Sequence, residues 1–570
     1  MQSAESLTVS REIYSNLSPM MNSKNHAFGQ RRELYMNTGI NEAVSVNNQE
    51  IESGNTQNNT IVFSDGTVQG APIYNYAPVQ EQQEGDAVSF GKYALIALIY
   101  AVLHTFCLYR NHSGITYPFY MLGTLILIHF VREKDGLSIF ENRDGRKALN
   151  IFYMLSLMAL SVNKCMTANG AIIWYDGLAI TLLLFSFLLH LYLDTKGWDI
   201  VAWMLQILKA IFIPLANFHV PLVDASAFRR FRALTKTKKK NGILASVIVG
   251  IVLAIPFLLI VVALLASADI VFRTLIENMT KFIKLPENMW DIVGLALVAL
   301  IAFWSAYLLP CILFKREGKQ VVVKKGSFNP VVGITLTALI GFVYVVFSVV
   351  QILFLFIGNM TLPANYTYAE YAHEGFYQLL AVCTMNLILV ITCEKLFVEK
   401  TALKVILTII GACTYIMIAS SAMRMIMYIN AYDLTFLRVF TLWFLAVLGL
   451  WLAALLIGLY NKNFPVFNTC MVTVTILYLA FVFSNPDYQI ARYDLSRMTK
   501  EEIAGSTVSY TTKYFFCDEL SEDALPAYLE YPTLLYDYKS WNYDDDYKYN
   551  EIRKFNFSRY RASVIMDSVK

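Results

Sequence analysis

The sequence predicts an all-α fold: a polytopic integral membrane helical bundle of about 11 transmembrane helices (about 10 to 12), with a disordered N-terminal tail and a small, partly helical C-terminal tail. Three observations predict it. Of the 570 residues, 56% are hydrophobic and only 16% charged, against about 25% charged in an ordinary soluble domain. The mean hydropathy is +0.47. Apolar runs recur from Tyr93 to Phe483 at lengths that can cross a hydrocarbon core of about 30 Å, which takes about 20 residues of helix. This composition excludes a cytosolic enzyme. The 46 Lys and Arg nearly balance 43 Asp and Glu, for a net charge of +3, so no basic excess points to nucleic acid as a partner.

Residues 1–90 are polar and aperiodic, with runs such as Asn47 to Glu50 and Asn55 to Thr60. They cannot bury enough apolar area to offset their ordering entropy and are read as a disordered tail. Met1 to Arg11 lacks the charged start and apolar stretch of a secretory signal, so no cleavage for export is expected. Charge-free spans follow at Ile243 to Ala266, Ile292 to Phe314, Val331 to Ile357, Val405 to Met423, Val439 to Tyr460 and Val466 to Phe483. Shorter or less pure candidates are Tyr93 to Tyr109, Tyr117 to Val131, Ala148 to Val162, Gly177 to Leu193 and Phe376 to Cys393. Lipid offers the backbone no hydrogen-bond partner, and these runs are too long for barrel strands of about ten alternating residues, so they are helices.

Trp198 to Leu215 reads as an interfacial helix, with a twelfth span as the alternative. Ile200, Met204, Ile207, Leu208, Ile211 and Leu215 fall on one face at helical spacing, while Asp199, Gln206 and Lys209 interrupt the other. Arg229, Arg230, Arg232, Lys236 and Lys238 to Lys240 follow, as suits a helix lying on an anionic cytoplasmic leaflet. The chain thus divides into a tail (1–90), a first transmembrane group with the interfacial helix and basic loop (91–242), a second group (243–484) and a C-terminal tail (485–570).

Short loops rich in Lys and Arg set orientation. With the N-terminus in the cytoplasm, inner loops hold Arg132, Lys134, Arg143, Arg146 and Lys147, the basic stretch above, Lys315 to Lys325, and Lys395 with Lys400. The outer loops hold few bases, and an odd number of spans places the C-terminal tail outside. In that tail Thr499 and Glu502 have capping-box spacing, and Ser558 is expected to cap a last helix through Met566. Short helices packed on the outer membrane face are expected there.

Charged side chains near spans are the candidates for function, because placing one at the bilayer centre costs roughly 3 kcal/mol. Asp269 and Arg273 follow the fifth span. Glu370, His373 and Glu374 precede the eighth. Arg424, Asp433 and Arg438 bracket the turn between the ninth and tenth, and Asp487, Arg492 and Asp494 follow the eleventh. All four groups fall at the outer end. They read either as ordinary pairs holding the outer loops or as a polar vestibule for an envelope component or an ion. Asp269 with Arg273, at i and i+4, is the expected internal pair, and Glu370 and Glu374 are expected to face Arg424 or Arg438. Asp176, Lys164 and Lys209 mark a second polar layer near span ends.

No cofactor, metal or catalytic set is predicted. His373 and Glu374 begin like a zinc-protease motif, but Tyr377 stands where the second His is needed. Asp544, Asp545 and Asp546 lack the spacing of a calcium loop. Neither a phosphate-binding glycine loop nor a serine-nucleophile elbow occurs. The eight cysteines form no CxxC pair, and a disulfide between Cys165 and Cys517 is not expected.

Four segments, Leu264 to Phe272, Tyr368 to Leu380, Arg424 to Arg438 and Asn485 to Tyr493, resemble a family of bacterial multi-pass membrane proteins known as a domain of unknown function, the 4153/4173 type. The family pattern carries Gly where Asp433 stands and Arg where His373 stands. The resemblance implies a bacterial cell-membrane protein, of Gram-positive type, with no established activity. The reading is therefore a non-enzymatic envelope sensor or adaptor with an outward-facing charged layer; the alternatives are a transporter or channel for a small solute or lipid, and an integral membrane enzyme. Its expected partners are the lipid bilayer and another envelope or membrane protein. A reporter fused after Lys570 is expected to report from the extracytoplasmic side; a cytosolic signal overturns the orientation.

Overall fold

The structure, a computed structural model, describes residues 79–140, 146–195, 198–235, 258, 261–262, 265, 267–275, 289–315, 326–353, 368–498, 514–542 and 552–568. Of 79–87, 233–235, 289–290, 315, 368–374 and 542 it describes the backbone alone. Contacts divide the chain into Met1–Ala77 and Pro78–Lys570, and all described residues belong to the second unit. The expected N-terminal tail up to residue 78, most of the expected span Ile243 to Ala266, Lys236 to Lys240, the Thr499 and Glu502 pair and Asp544 to Asp546 lie outside the described residues.

The described chain is almost entirely helical. In order run α1 (Val79–Leu108), α2 (Thr116–Lys134), α3 (Lys147–Met166), α4 (Gly170–Tyr192), α5 (Ile200–Ala216), α6 (Val220–Thr235), α7 (Met289–Lys315), α8 (Pro330–Gln351), α9 (Tyr368–Leu396), α10 (Thr401–Tyr432), α11 (Phe436–Tyr460) and α12 (Val466–Phe483). Beyond them lie α13 (Pro486–Arg497), a π-helical turn (Phe515–Glu519), a 3-10 segment (Glu522–Glu530), α14 (Pro532–Asn542) and α15 (Phe557–Ser568). Among the described residues nine helices are long and apolar enough to cross a membrane, or ten if α5 and α6 count together as one broken span. Helix α2 has 19 residues, ends on Arg132, Glu133 and Lys134, and packs between α1 and α3 where a span was expected.

Helix starts are set by side chains that take up free amides. Asn169 accepts from the Ile172 N–H at 3.0 Å and Asp199 from the Ala202 N–H at 2.7 Å, while Asn329 and Asn485 each cap a helix that begins with Pro. One apolar core gathers Tyr153, Leu157, Phe187, Trp203, Tyr307 and Phe481. A second gathers Leu387, Val390, Leu407, Ile410 and Leu452. Asn386 donates to Thr414 between α9 and α10 (2.9 Å), Tyr153 bonds Ser186 between α3 and α4 (2.6 Å), and Tyr307 of α7 donates to Asp224 of α6 (2.6 Å). Such interhelical bonds contribute roughly 0.6 to 1.7 kcal/mol each in lipid.

Two expectations change. The single helix expected from Trp198 to Leu215 is Ile200–Ala216, but it turns by 56° into Val220–Arg232. Met204, Leu208, Ile211 and Leu215 of the expected apolar face are exposed, while Gln206, expected on the polar face, is buried with Ala202, Trp203, Ala210 and Ile213. That buried face packs against α4 and α7, and the exposed apolar stripe is left to lipid. In the tail, the last helix is capped by Asn556, whose Oδ1 accepts from the Arg559 N–H at 3.1 Å, and not by Ser558, whose hydroxyl donates to Asp523.

The links 109–115, 167–169 and 433–435 lie at one end of the bundle, called the tail end. There α13, the 3-10 segment, α14 and α15 build a small cap around Ile490, Leu495, Leu525, Tyr528, Leu535 and Met566. Arg132, Lys134, Lys395, Lys400, Lys404 and Lys462 mark the opposite, basic end.

Candidate functional site

The tail end brings together five of the eleven charged residues singled out in the sequence, Arg424, Asp433, Arg438, Asp487 and Asp494, in two clusters. In the first, at the turn from α10 to α11, Asp433 forms an ion pair with Arg497 of α13 (3.2 Å). Arg438 donates to the carbonyls of Tyr432 (2.6 Å) and Asp433 (2.5 Å) and lies 4.3 Å from the Tyr428 ring centre. Asp494, 4% exposed, accepts from the Leu434 N–H at 2.9 Å. Arg424 is buried one turn deeper, where Gln351 Oε1 accepts from it at 3.5 Å and from Ser420 at 2.7 Å. Its guanidinium occupies the place a Cβ would take on Gly375, so a larger residue there would make the end of the Arg424 side chain shift.

The second cluster joins the cap to the bundle. Asp487, 1% exposed, accepts both Asn169 Nδ2 contacts (3.0 and 2.9 Å), the Ser521 N–H (3.1 Å) and the Ser521 hydroxyl. Asp523, 4% exposed, accepts from the Thr167 hydroxyl (2.6 Å), the Ala168 N–H (2.9 Å) and Ser558. Asn556 donates to the carbonyls of Ser113 (3.0 Å) and Thr167 (2.9 Å), and the Ile115 N–H donates to the Phe555 carbonyl (2.8 Å). Each buried carboxylate thus has at least three donors, the condition under which burying a charge is tolerated.

The other sequence candidates stand apart from these clusters. Asp269 is exposed and caps its own short helical stretch through the Phe272 N–H (2.8 Å); no ion pair joins it to Arg273, which is also exposed. Glu370, His373 and Glu374 lie on the first turns of α9, and their side chains, with the expected pairing to Arg424 or Arg438, lie outside the described residues. Arg492 is exposed. In the second polar layer, Asp176 is fully buried and accepts from Asn163 Nδ2 (2.8 Å) and the Tyr478 hydroxyl (2.9 Å). Lys164 is 5% exposed, with Nζ 4.4 Å from the Tyr117 ring centre, and exposed Lys209 does not join them. Cys165 and Cys517 are separate free thiols, both buried.

Sequence reading missed Thr167, Asn169, Ser521, Asp523, Asn556 and Ser558 as one junction. Asn169 carried a local signal, an Asn immediately before an apolar helix. Nothing local pairs it with Asp487, more than three hundred residues away.

Burial pushes the Asp487 carboxyl above the usual carboxylate range, with neighbouring Asp523 adding to it and the Ser521 and Asn169 bonds opposing it. Desolvation pushes Asp494 up to about 7, opposed by the Leu434 amide and reinforced by Asp433. Among the described residues no group of His, Cys, Asp or Glu is arranged to hold a metal ion.

A family model, Domain of unknown function (DUF4153), matches residues 152–531, more than half of the chain. The chain belongs to that family. No curated protein and no solved structure matches it. In this DUF4153 member the matched stretch includes the 167–169 link, Asp487 and Asp523, while Asn556 and Ser558 fall beyond its end. Of the junction side chains, Asn556 and Ser558 are therefore supplied by sequence outside the family match.

Asp433 stands at φ 63°, ψ −175°, a region almost restricted to glycine and costing about 1 to 3 kcal/mol for other residues. Its exposed ion pair with Arg497 returns at most about 1 kcal/mol. Asp433→Gly is expected to raise the unfolding midpoint of the purified protein, and a fall would contradict the strain. Asp494 supplies a pH prediction. Its folded-state value near 7 exceeds the unfolded value of about 3.9, so the native state binds more protons between these limits. Stability from this group is fully present below about pH 4 and is lost as pH rises through about 7. Asp494→Asn should flatten that slope in melting curves recorded across the interval; an unchanged slope would refute the assignment.

Proposed function

We propose that this multi-pass membrane protein is a non-enzymatic receptor or adaptor whose C-terminal cap engages another envelope or membrane protein. The observation that carries this reading is the junction at Asp487 and Asp523. Short links between membrane helices ordinarily yield easily, yet here the 109–115 and 167–169 links are tied to the cap by buried, multiply bonded carboxylates and an amide. A partner held by the cap therefore acts on α1 through α4 directly. Tyr536, 63% exposed, and Ile552, 89% exposed, offer accessible contact positions on that cap.

A carrier is the second reading. It is favoured by the break between α5 and α6 and by Asp224, a buried carboxylate just beyond it held by Tyr307. It is the weaker reading because an inverted-repeat carrier needs two corresponding breaks, and α5 with α6 is the single bent pair among the described residues.

Photocrosslinkers placed at Tyr536 and at Ile552 of the full chain in cells should yield the same discrete protein adduct. Asp487→Ala, which leaves Asn169 and Ser521 without their acceptor at a cost of about 1 to 3 kcal/mol, should remove both adducts while membrane insertion persists. Adducts that survive Asp487→Ala contradict the coupling. Proton or sodium flux in reconstituted vesicles, with no adduct, replaces the receptor by the carrier.

A further inference from the structure

At the tail end, between the α1–α2 link, α4 and the cap, lies a cavity of about 750 Å³. Its described walls carry Arg110, His112, Lys164, Lys554 and Arg559, and no carboxylate. The charge is not balanced from behind in every case. Arg110 is held by a two-point bond to Asp291 (3.0 and 2.5 Å). Arg559 Nε lies 3.9 Å from Glu522, and this buried nitrogen has no hydrogen-bond acceptor. Lys164 is nineteen-twentieths buried at 5% exposure, and among the described residues no carboxylate comes within ion-pair distance of its ammonium. The ammonium rests against Gly177, itself part of the wall, at 3.3 Å from where a Cβ would stand, and against the Tyr117 ring. Asp176 acts on this ammonium from inside the bundle, but from beyond ion-pair distance, and a cationic wall with no carboxylate of its own suits a negative ligand.

The remaining wall says what kind. Trp174 and Leu178 of α4 line the cavity and are also exposed on the bundle surface, at 65% and 45%. Trp at the mouth of a polar cavity near a helix end is the usual marker of the headgroup level of a bilayer. The cavity therefore opens sideways onto lipid, with cations inside and an apolar lip outside. We infer that it is a binding site for the phosphate of an anionic membrane lipid, the headgroup held by Lys164 and Arg559 and the chains lying along Trp174 and Leu178. This site does not rest on the receptor reading, since no protein partner enters it.

The test uses the full chain in nanodiscs doped with phosphatidylglycerol or phosphatidylcholine brominated on the acyl chains. The fluorescence component that Trp174→Phe removes should be quenched by brominated phosphatidylglycerol at about a tenfold lower mole fraction than by brominated phosphatidylcholine, the factor that one charge-assisted hydrogen bond provides. Lys164→Gln and, separately, Arg559→Gln should each abolish that preference. Arg559 lies on the half-exposed cap surface, so its substitution remains informative where loss of buried Lys164 impairs folding. Equal quenching by the two lipids, or a preference kept in both variants, overturns the site. Displacement of the brominated lipid by millimolar inorganic phosphate would confirm the phosphate chemistry and overturn the lipid as its source.

Discussion

Hydrocarbon supplies no hydrogen bonds, and that constraint organises this molecule. Backbone groups in the membrane region must be satisfied within each helix, which is why the described chain is helical almost throughout. Side chains obey the same rule at higher stakes. Asp176 is buried with Asn163 and Tyr478 as donors, and Asn386 finds Thr414 across a helix interface. Where a side chain has no polar role it can face lipid, and α5 turns Met204, Leu208 and Leu215 outward while Gln206 is buried beside Trp203 and Ala210.

The cap shows how the rule is met near the membrane surface. Its interior is an ordinary apolar core around Leu525 and Tyr528, but its attachment to the bundle is polar. An apolar joint would tolerate sliding, since dispersion contacts are individually weak and non-directional. A joint of buried carboxylates with fixed donors has one geometry, because leaving any member unpaired costs more than the bond contributes.

The donors chosen for that joint have a consequence for the whole layer. Asp487 and Asp523 are satisfied by amides and hydroxyls of Asn169, Thr167, Ser521 and Ser558, and not by cations. Lys164 and Arg559 line a cavity at the same end, Lys164 with no carboxylate at ion-pair distance among the described residues and Arg559 with Glu522 at 3.9 Å but no hydrogen-bond acceptor for its Nε. At the α10–α11 turn the balance is different: Arg497 meets Asp433, and Arg438 is spent on two carbonyls. One end of the bundle thus holds a rigid joint, a neutralised turn and a cationic cavity side by side.

Much of this was legible in the residues. Runs such as Val439 to Tyr460 and Val466 to Phe483 fix helices within a residue or a few, because length and apolarity alone decide whether a segment can cross lipid. Two of the family-like segments, Arg424 to Arg438 and Asn485 to Tyr493, fall where charged groups gather. The partners could not be read. Asn169 and Asp487, or Thr167 and Asp523, are ordinary cap and surface residues until the chain is folded, and Ser558 looks like a helix cap until Asn556 takes that place. What the sequence by itself determined is which segments enter the membrane, since hydropathy is a property of each segment taken alone. Only the tertiary structure decided which charges are matched and which remain in a cavity, since pairing depends on distances between helices that no local pattern encodes.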